Sequence, residues 1–183
     1  MREAVPADAA RAAGRSVEDR LQPERAWLPP PAQIATMSAG SFVDSPDDGI
    51  RIRFFCSPDG LGIAGRAYFG PRTQGPPGFA HGGSIAAVLD HAIGAVTWLH
   101  GHTAVVAELN LRFLAMVPLG EVGTIEAIIT SVSGKKIHAT AAMRREDGVR
   151  CAEAEGLLIM VPVERFGALG KALPLGGSDP APR

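Results

Sequence analysis

Cysteine is scarce in this chain: Cys56 and Cys151 are the only two among 183 residues. Two cysteines cannot form the disulfide framework of a small secreted scaffold. Neither has a second Cys or a His at metal-ligand spacing, so no metal site is expected. Both sit in strand-like runs, where a cysteine acts as a small apolar core residue. A reducing, cytoplasmic setting is the expectation. An excess of one charge is also missing: 18 basic residues face 19 acidic ones, for a net charge of −1. That balance argues against a nucleic-acid binder, and the longest basic runs are only Lys135-Lys136 and Arg144-Arg145. No apolar run reaches the roughly 20 residues of a membrane span. The N-terminal stretch has neither the apolar core of a signal peptide nor the acid-poor composition of a transit peptide.

What is present is a globular composition, 46% hydrophobic, at a length that suits one domain. Residues 1–44 are rich in Ala, Arg and Pro and read as a partly flexible N-terminal arm, with a possible polar helix over 11–21. Residues 166–183, rich in Gly and Pro, read as a flexible tail. The domain between them, 45–165, has a clear order of elements. Strands are expected at 50–56 and 61–69, joined by the turn Ser57-Pro58-Asp59-Gly60. A Gly/Pro loop over 70–83 leads into a helix at about 84–100, which Gly101 is placed to end. The next strand, 104–116, alternates: Val105, Ala107, Leu109, Leu111 and Phe113 are expected on the buried face. Three further strands follow at 122–132, 136–145 and 149–161, the last pair joined by a two-residue Asp147-Gly148 hairpin. The expected class is α+β: an antiparallel sheet of about six strands wrapped around one long helix.

The segment 75–94 carries the chemistry. A glycine-rich loop delivers His81, Gly82 and Gly83 onto the start of an apolar helix. Ile85, Val88, Leu89, Ala92, Val96 and Leu99 form its stripe toward the sheet. Asp90 interrupts the helix beside that stripe, among the small residues Ala86, Ala87 and Gly94. Bare backbone N–H groups at a helix start can hold a carbonyl oxygen, and a carboxylate can direct attack on its carbon. Taken singly, each residue has a plainer reading: Asp90 as a solvated side chain, Gly82-Gly83 as a loop-to-helix junction, His81 as a loop histidine.

Together, Gly78-Phe79-Ala80-His81-Gly82-Gly83-x-Ile85-Ala86-x-x-x-Asp90 resembles the hotdog-fold acyl-CoA thioesterases. The similar branch holds the phenylacetate-pathway enzymes and the mammalian thioesterase superfamily members. The resemblance spans about residues 45–162. It implies a hotdog fold and an acyl-CoA substrate, with coenzyme A as part of that substrate and no separate cofactor. It also implies a homodimer, commonly paired into a tetramer, with sites between subunits. By the same resemblance, Asp90 is nucleophile or general base, the Gly82 N–H polarises the thioester carbonyl, and His81 organises the loop. Gly83 and Phe79 would lie against the substrate, although Phe79 could instead pack as a staple on the helix start. Relatives place a Ser or Thr where this chain has Val106, sixteen residues beyond the helix carboxylate, so turnover loses a hydroxyl there. Gly134, Lys135 and Lys136 match a hairpin that lies near the CoA phosphates, or else form a solvated hairpin tip. A non-catalytic acyl-CoA binder on the same fold is the alternative. A hydratase ranks third, because neighbouring Asp90 and His91 point about 100° apart on a helix.

Overall fold

The structure is a computed structural model that describes residues 16–45 and 48–166. Expectations for residues 1–15 and 167–183 lie outside the described residues. Chain order is α1 (Val17–Arg20), α2 (Ala32–Thr36), β1 (Ile50–Cys56), β2 (Ile63–Phe69), α3 (Gly82–Leu99), β3 (Ala104–Phe113), β4 (Val122–Ser133), β5 (Lys136–Arg144) and β6 (Arg150–Met160). The six strands form one sheet in the order β1-β2-β4-β5-β6-β3, and every pairing is antiparallel. This is the hotdog arrangement, with α3 held against the concave face.

α3 starts two residues earlier than its periodicity suggests, because His81 caps it. Gly101 follows the helix with φ +74°, a left-handed turn that suits glycine. Val88, Leu89, Ala92, Ile93 and Val96 are fully buried, and the core joins them to Ile52, Phe69, Ile125, Ile137 and Leu158 on the sheet. Each fully buried aliphatic chain contributes roughly 1.5–3 kcal/mol. By length and composition α3 could cross a membrane, but these apolar side chains are spent on the sheet. Cys56 and Cys151 are free and buried. Burial pushes the Cys151 thiol up to about 11, so it stays protonated and inert.

Two expectations about strands change. β3 does not alternate in one phase: its pairing with β6 shifts register between Val106 and Glu108. The extra residue, Ala107, reverses the faces on either side. Val106, Leu109 and Leu111 therefore pack on the core and Val105 points out, 44% exposed, while Phe113, in phase with Leu109 and Leu111, lies at the helix entrance beside Gly82 and stays 55% exposed. The β5–β6 connection is also longer than a two-residue hairpin. Arg145 N–H donates to the Val149 carbonyl, leaving Glu146, Asp147 and Gly148 as a three-residue loop with Gly148 at φ +81°.

The segment 16–45 packs on the domain rather than standing apart from it. Leu28 pairs with Cys56 through two backbone hydrogen bonds, extending the sheet beyond β1. Trp27 lies against Phe55, and the Arg66 guanidinium sits over the Trp27 ring. Leu21, Ile34 and Val43 are buried. Sequence composition hid this, because a strap with three anchors among Pro and Ala has no periodicity.

Candidate functional site

Helix α3 opens with four N–H groups that have no partner one turn earlier. Three of them, on His81, Gly83 and Ser84, are satisfied. The Gly83 N–H donates to the His81 Nδ1 at 2.9 Å, the Ser84 N–H donates to the His81 carbonyl at 2.9 Å, and the His81 N–H donates to Thr73, while Ile85 makes the first regular helix bond to the His81 carbonyl at 3.3 Å. The fourth, on Gly82, finds no acceptor among the described residues. His81 is itself fixed, because its N–H donates to the Thr73 carbonyl at 2.7 Å. Gly75 packs so close that a Cβ there would lie 2.8 Å from the His81 Cα. The loop 74–80 is tied to the segment after β3: Ala80 N–H donates to Val117, and Leu119 N–H donates to Gly78. Sequence and fold thus leave one aimed, uncommitted donor at the positive end of a long helix.

Asp90 is half-buried on the outer side of α3 and makes no hydrogen bond or ion pair among the described residues. Burial raises its carboxyl above the usual carboxylate range, and no nearby cation offsets this. An unpaired, partly desolvated carboxylate is a stronger base than a solvated one. His91 is turned elsewhere. It is stacked on Phe54 with ring centres 5.6 Å apart, and its Nε2 lies 2.9 Å from Ser38 Oγ. Burial lowers its pKa, with Asp44 partly opposing, so it stays neutral. Asp90 and His91 do not form a pair.

Apart from Asp90 and Val106, the residues expected at the site fall into two groups. His81, Gly82, Gly83 and Phe79 gather at the helix entrance, where a Cβ on Gly82 would lie 3.3 Å from the Phe113 ring. Phe79 bridges to Pro118, and the position before the cap, where a staple would start, is taken by the buried Ala80. Gly134, Lys135 and Lys136 lie at the opposite end of the sheet. Lys136 pairs with Ile159, which pairs with Val105 at the start of β3, whereas Gly82 lies beside Phe113 at its end. Ten residues of strand separate those ends by about 30 Å. Val106 packs half-buried on the core and presents no hydroxyl. Sequence reading missed Phe42, Arg72 and Gln74, which line a recess of about 500 Å³ together with His81 and Gly83. Phe42 sits in the strap, and no motif marks it.

Residues 77–152 match the thioesterase superfamily. The chain is 35% identical over 97 residues to acyl-coenzyme A thioesterase THEM4 of Bos taurus, covering 52% of this chain and 40% of the relative. It spans about two-fifths of the length of the curated relatives it matches. Among solved structures, the thioesterase superfamily protein RHA08564 is 33% identical with a TM-score of 0.54, over 59% of this chain and 55% of that one. The smu.793 protein of Streptococcus mutans UA159, solved with acetyl CoA, shares the fold at 19% identity and a TM-score of 0.53, over 55% and 82% of the two chains. The resemblance carried by the helix-entrance motif to the hotdog acyl-CoA thioesterases therefore holds at the level of sequence and of fold.

Proposed function

We propose that this protein hydrolyses acyl-CoA thioesters at a site completed by two copies of the chain. The observation that carries the reading is an uncommitted Gly82 N–H on the same helix as an unpartnered, partly desolvated Asp90. Both lie on α3, eight residues apart. Eight residues of helix separate them by about 12 Å along the axis and about 80° around it. A carbonyl oxygen and its attacking group must meet within one functional group, so one helix cannot supply both. A second copy, with its Asp90 facing this Gly82, supplies the missing half.

Water is the co-reactant. The partner's Asp90 accepts a proton from a water molecule as its oxygen bonds to the thioester carbon. The carbonyl oxygen becomes negative and is held by the Gly82 N–H at the helix start. The C–S bond then breaks, and the proton passes to the departing CoA thiolate, giving acid and thiol. If Asp90 attacks directly instead, its oxygen bonds to the thioester carbon, the C–S bond breaks to release CoA thiolate, and water then hydrolyses the resulting mixed anhydride to return the Asp90 carboxylate and free acid. Lys135 and Lys136 lie too far from Gly82 of their own chain, so in this reading they serve CoA bound at another subunit's site.

Complementation tests the two-chain site. Gly82→Pro removes the donor at the first helical position, where proline is tolerated, and the extended His81 backbone (ψ 138°) suits a following proline. Gly82→Pro and Asp90→Asn homodimers are expected to be inactive. Re-associated together, they restore one intact site in each mixed dimer, about a quarter of the wild-type rate. No recovery in demonstrably mixed dimers rejects the two-chain site.

One observation favours a second reading. Val106, where the resemblance implies a hydroxyl, packs partly buried on the core and offers nothing to orient water. Saturable acyl-CoA binding without thiol release would assign the protein as a binder.

A further inference from the structure

The recess of about 500 Å³ beside the helix entrance has a wall that the superfamily match does not include. Its apolar side is Phe42, from the strap, and the buried Ile50 at the start of β1. Arg72 and Gln74 stand in its lining, and His81 and Gly83 close it on the side of the helix. Phe42 is 74% exposed, the most exposed large apolar side chain among the described residues. A phenyl ring left in water beside a cavity of ligand size, typically about 300–1,000 Å³, marks a binding wall.

The placement fixes which part of a ligand the recess meets. Gly82 is not itself in the lining, but its chain neighbours His81 and Gly83 are, so its N–H lies next to the recess. A thioester oxygen about 2.9 Å from that N–H brings the carbonyl carbon within a few ångströms of the His81 and Gly83 side of the recess. Of the two groups on that carbon, the CoA arm ends in phosphates and adenine, which favour solvent and cations. The acyl group is the apolar one, and the apolar wall faces it.

We infer that this recess is the acyl pocket and that Phe42 is its specificity-determining residue, favouring aryl and medium-length acyl groups over acetyl. The inference rests on the thioesterase reading for its chemistry, but binding tests it separately. A ring that packs on the acyl group adds contacts acetyl cannot reach, so its removal changes discrimination between substrates rather than the shared rate.

The experiment compares acetyl-, octanoyl- and benzoyl-CoA on wild type, Phe42→Ala and Leu61→Ala. Leu61 is a similarly exposed apolar residue, 62% exposed, whose carbonyl sits beside His100 at the far end of α3. Thiol release gives kcat/KM, and calorimetry on the Asp90→Asn background gives affinity without turnover. Phe42→Ala is expected to lose about 10-fold for octanoyl- and benzoyl-CoA and to stay within about 2-fold for acetyl-CoA. Leu61→Ala is expected to leave the ratios unchanged. Equal losses on all three esters, unchanged ratios in Phe42→Ala, or no binding of any ester overturn the pocket. Phe42-dependent binding with no thiol release from wild type overturns the hydrolase reading and keeps the pocket.

Discussion

The two edges of the sheet are finished differently. At the β1 edge, Leu28 continues the hydrogen-bond ladder onto Cys56, Trp27 covers Phe55, and Ile34 is buried from α2. At the β3 edge no described segment pairs, and Val105, Phe113, Leu114 and Met116 are 44–55% exposed. Open edges are usually shortened, charged or covered. The chain covers one with its own strap and leaves the other open, with Val105 and Phe113 exposed among Glu108, Asn110 and Arg112. In the two-copy reading proposed above, that difference points to the β3 edge for the second copy, and the roughly 12 Å between Gly82 and Asp90 on one helix is what that reading answers.

The largest effect comes from the helix between the edges. Asp90→Asn touches neither edge and is expected to reduce thiol release by about 100- to 10,000-fold with the assembly intact. Full rate in that variant removes Asp90 from the mechanism. Next, charge on the bare edge should separate the copies. Val105→Lys with Leu114→Lys is expected to give folded monomers by sedimentation and at least about 10-fold slower turnover at equal chain concentration. Leu28→Lys on the covered edge is expected to leave the assembly unchanged. If both edges respond alike, the contrast is false.

Smaller effects sharpen the strap side. Ile34, 1% exposed, joins the strap to the core. Ile34→Ala should cost about 2–5 kcal/mol in urea unfolding while the copies stay associated. The smallest effect is electrostatic. Burial raises the folded Asp90 carboxyl, so the folded chain holds a proton that the unfolded chain has already released. Stability from this group is therefore fully present below the ordinary carboxylate pKa and falls as pH rises through the raised one. Asp90→Asn should melt higher than wild type at neutral pH, with the gap closing near pH 3. The acidic limb of the rate profile should lie above the ordinary carboxylate range for the same reason; a limb within that range contradicts the desolvated base.

Much of this was legible in the sequence. Period-2 runs located the strands, the 3.6-residue stripe located α3, and the unusual Gly82-Gly83 at its start located the donor. Position 90 was legible as an acid beside the stripe rather than on it. Other features were not. The bulge at Ala107 turns Val105 outward while Leu109 and Leu111 stay on the core, and an inserted residue leaves the apolar pattern looking continuous. The strap's burial was hidden because Leu21, Ile34 and Val43 are single anchors in an irregular segment. Phe42 was missed because an isolated aromatic in a Pro/Ala-rich stretch has no spacing signal.

The local arrangement, then, followed from the chain order itself: a capping histidine, a glycine N–H and an acid on one helix, because helix phase and capping act over a few residues. Tertiary structure alone decided which N–H stays uncommitted, which edge stays open, how far Lys135 and Lys136 lie from Gly82, and what lines the recess. Those depend on where strands far apart in sequence come to lie, and β3, placed beyond β6 rather than beside β4, is ordered by packing that no local pattern encodes.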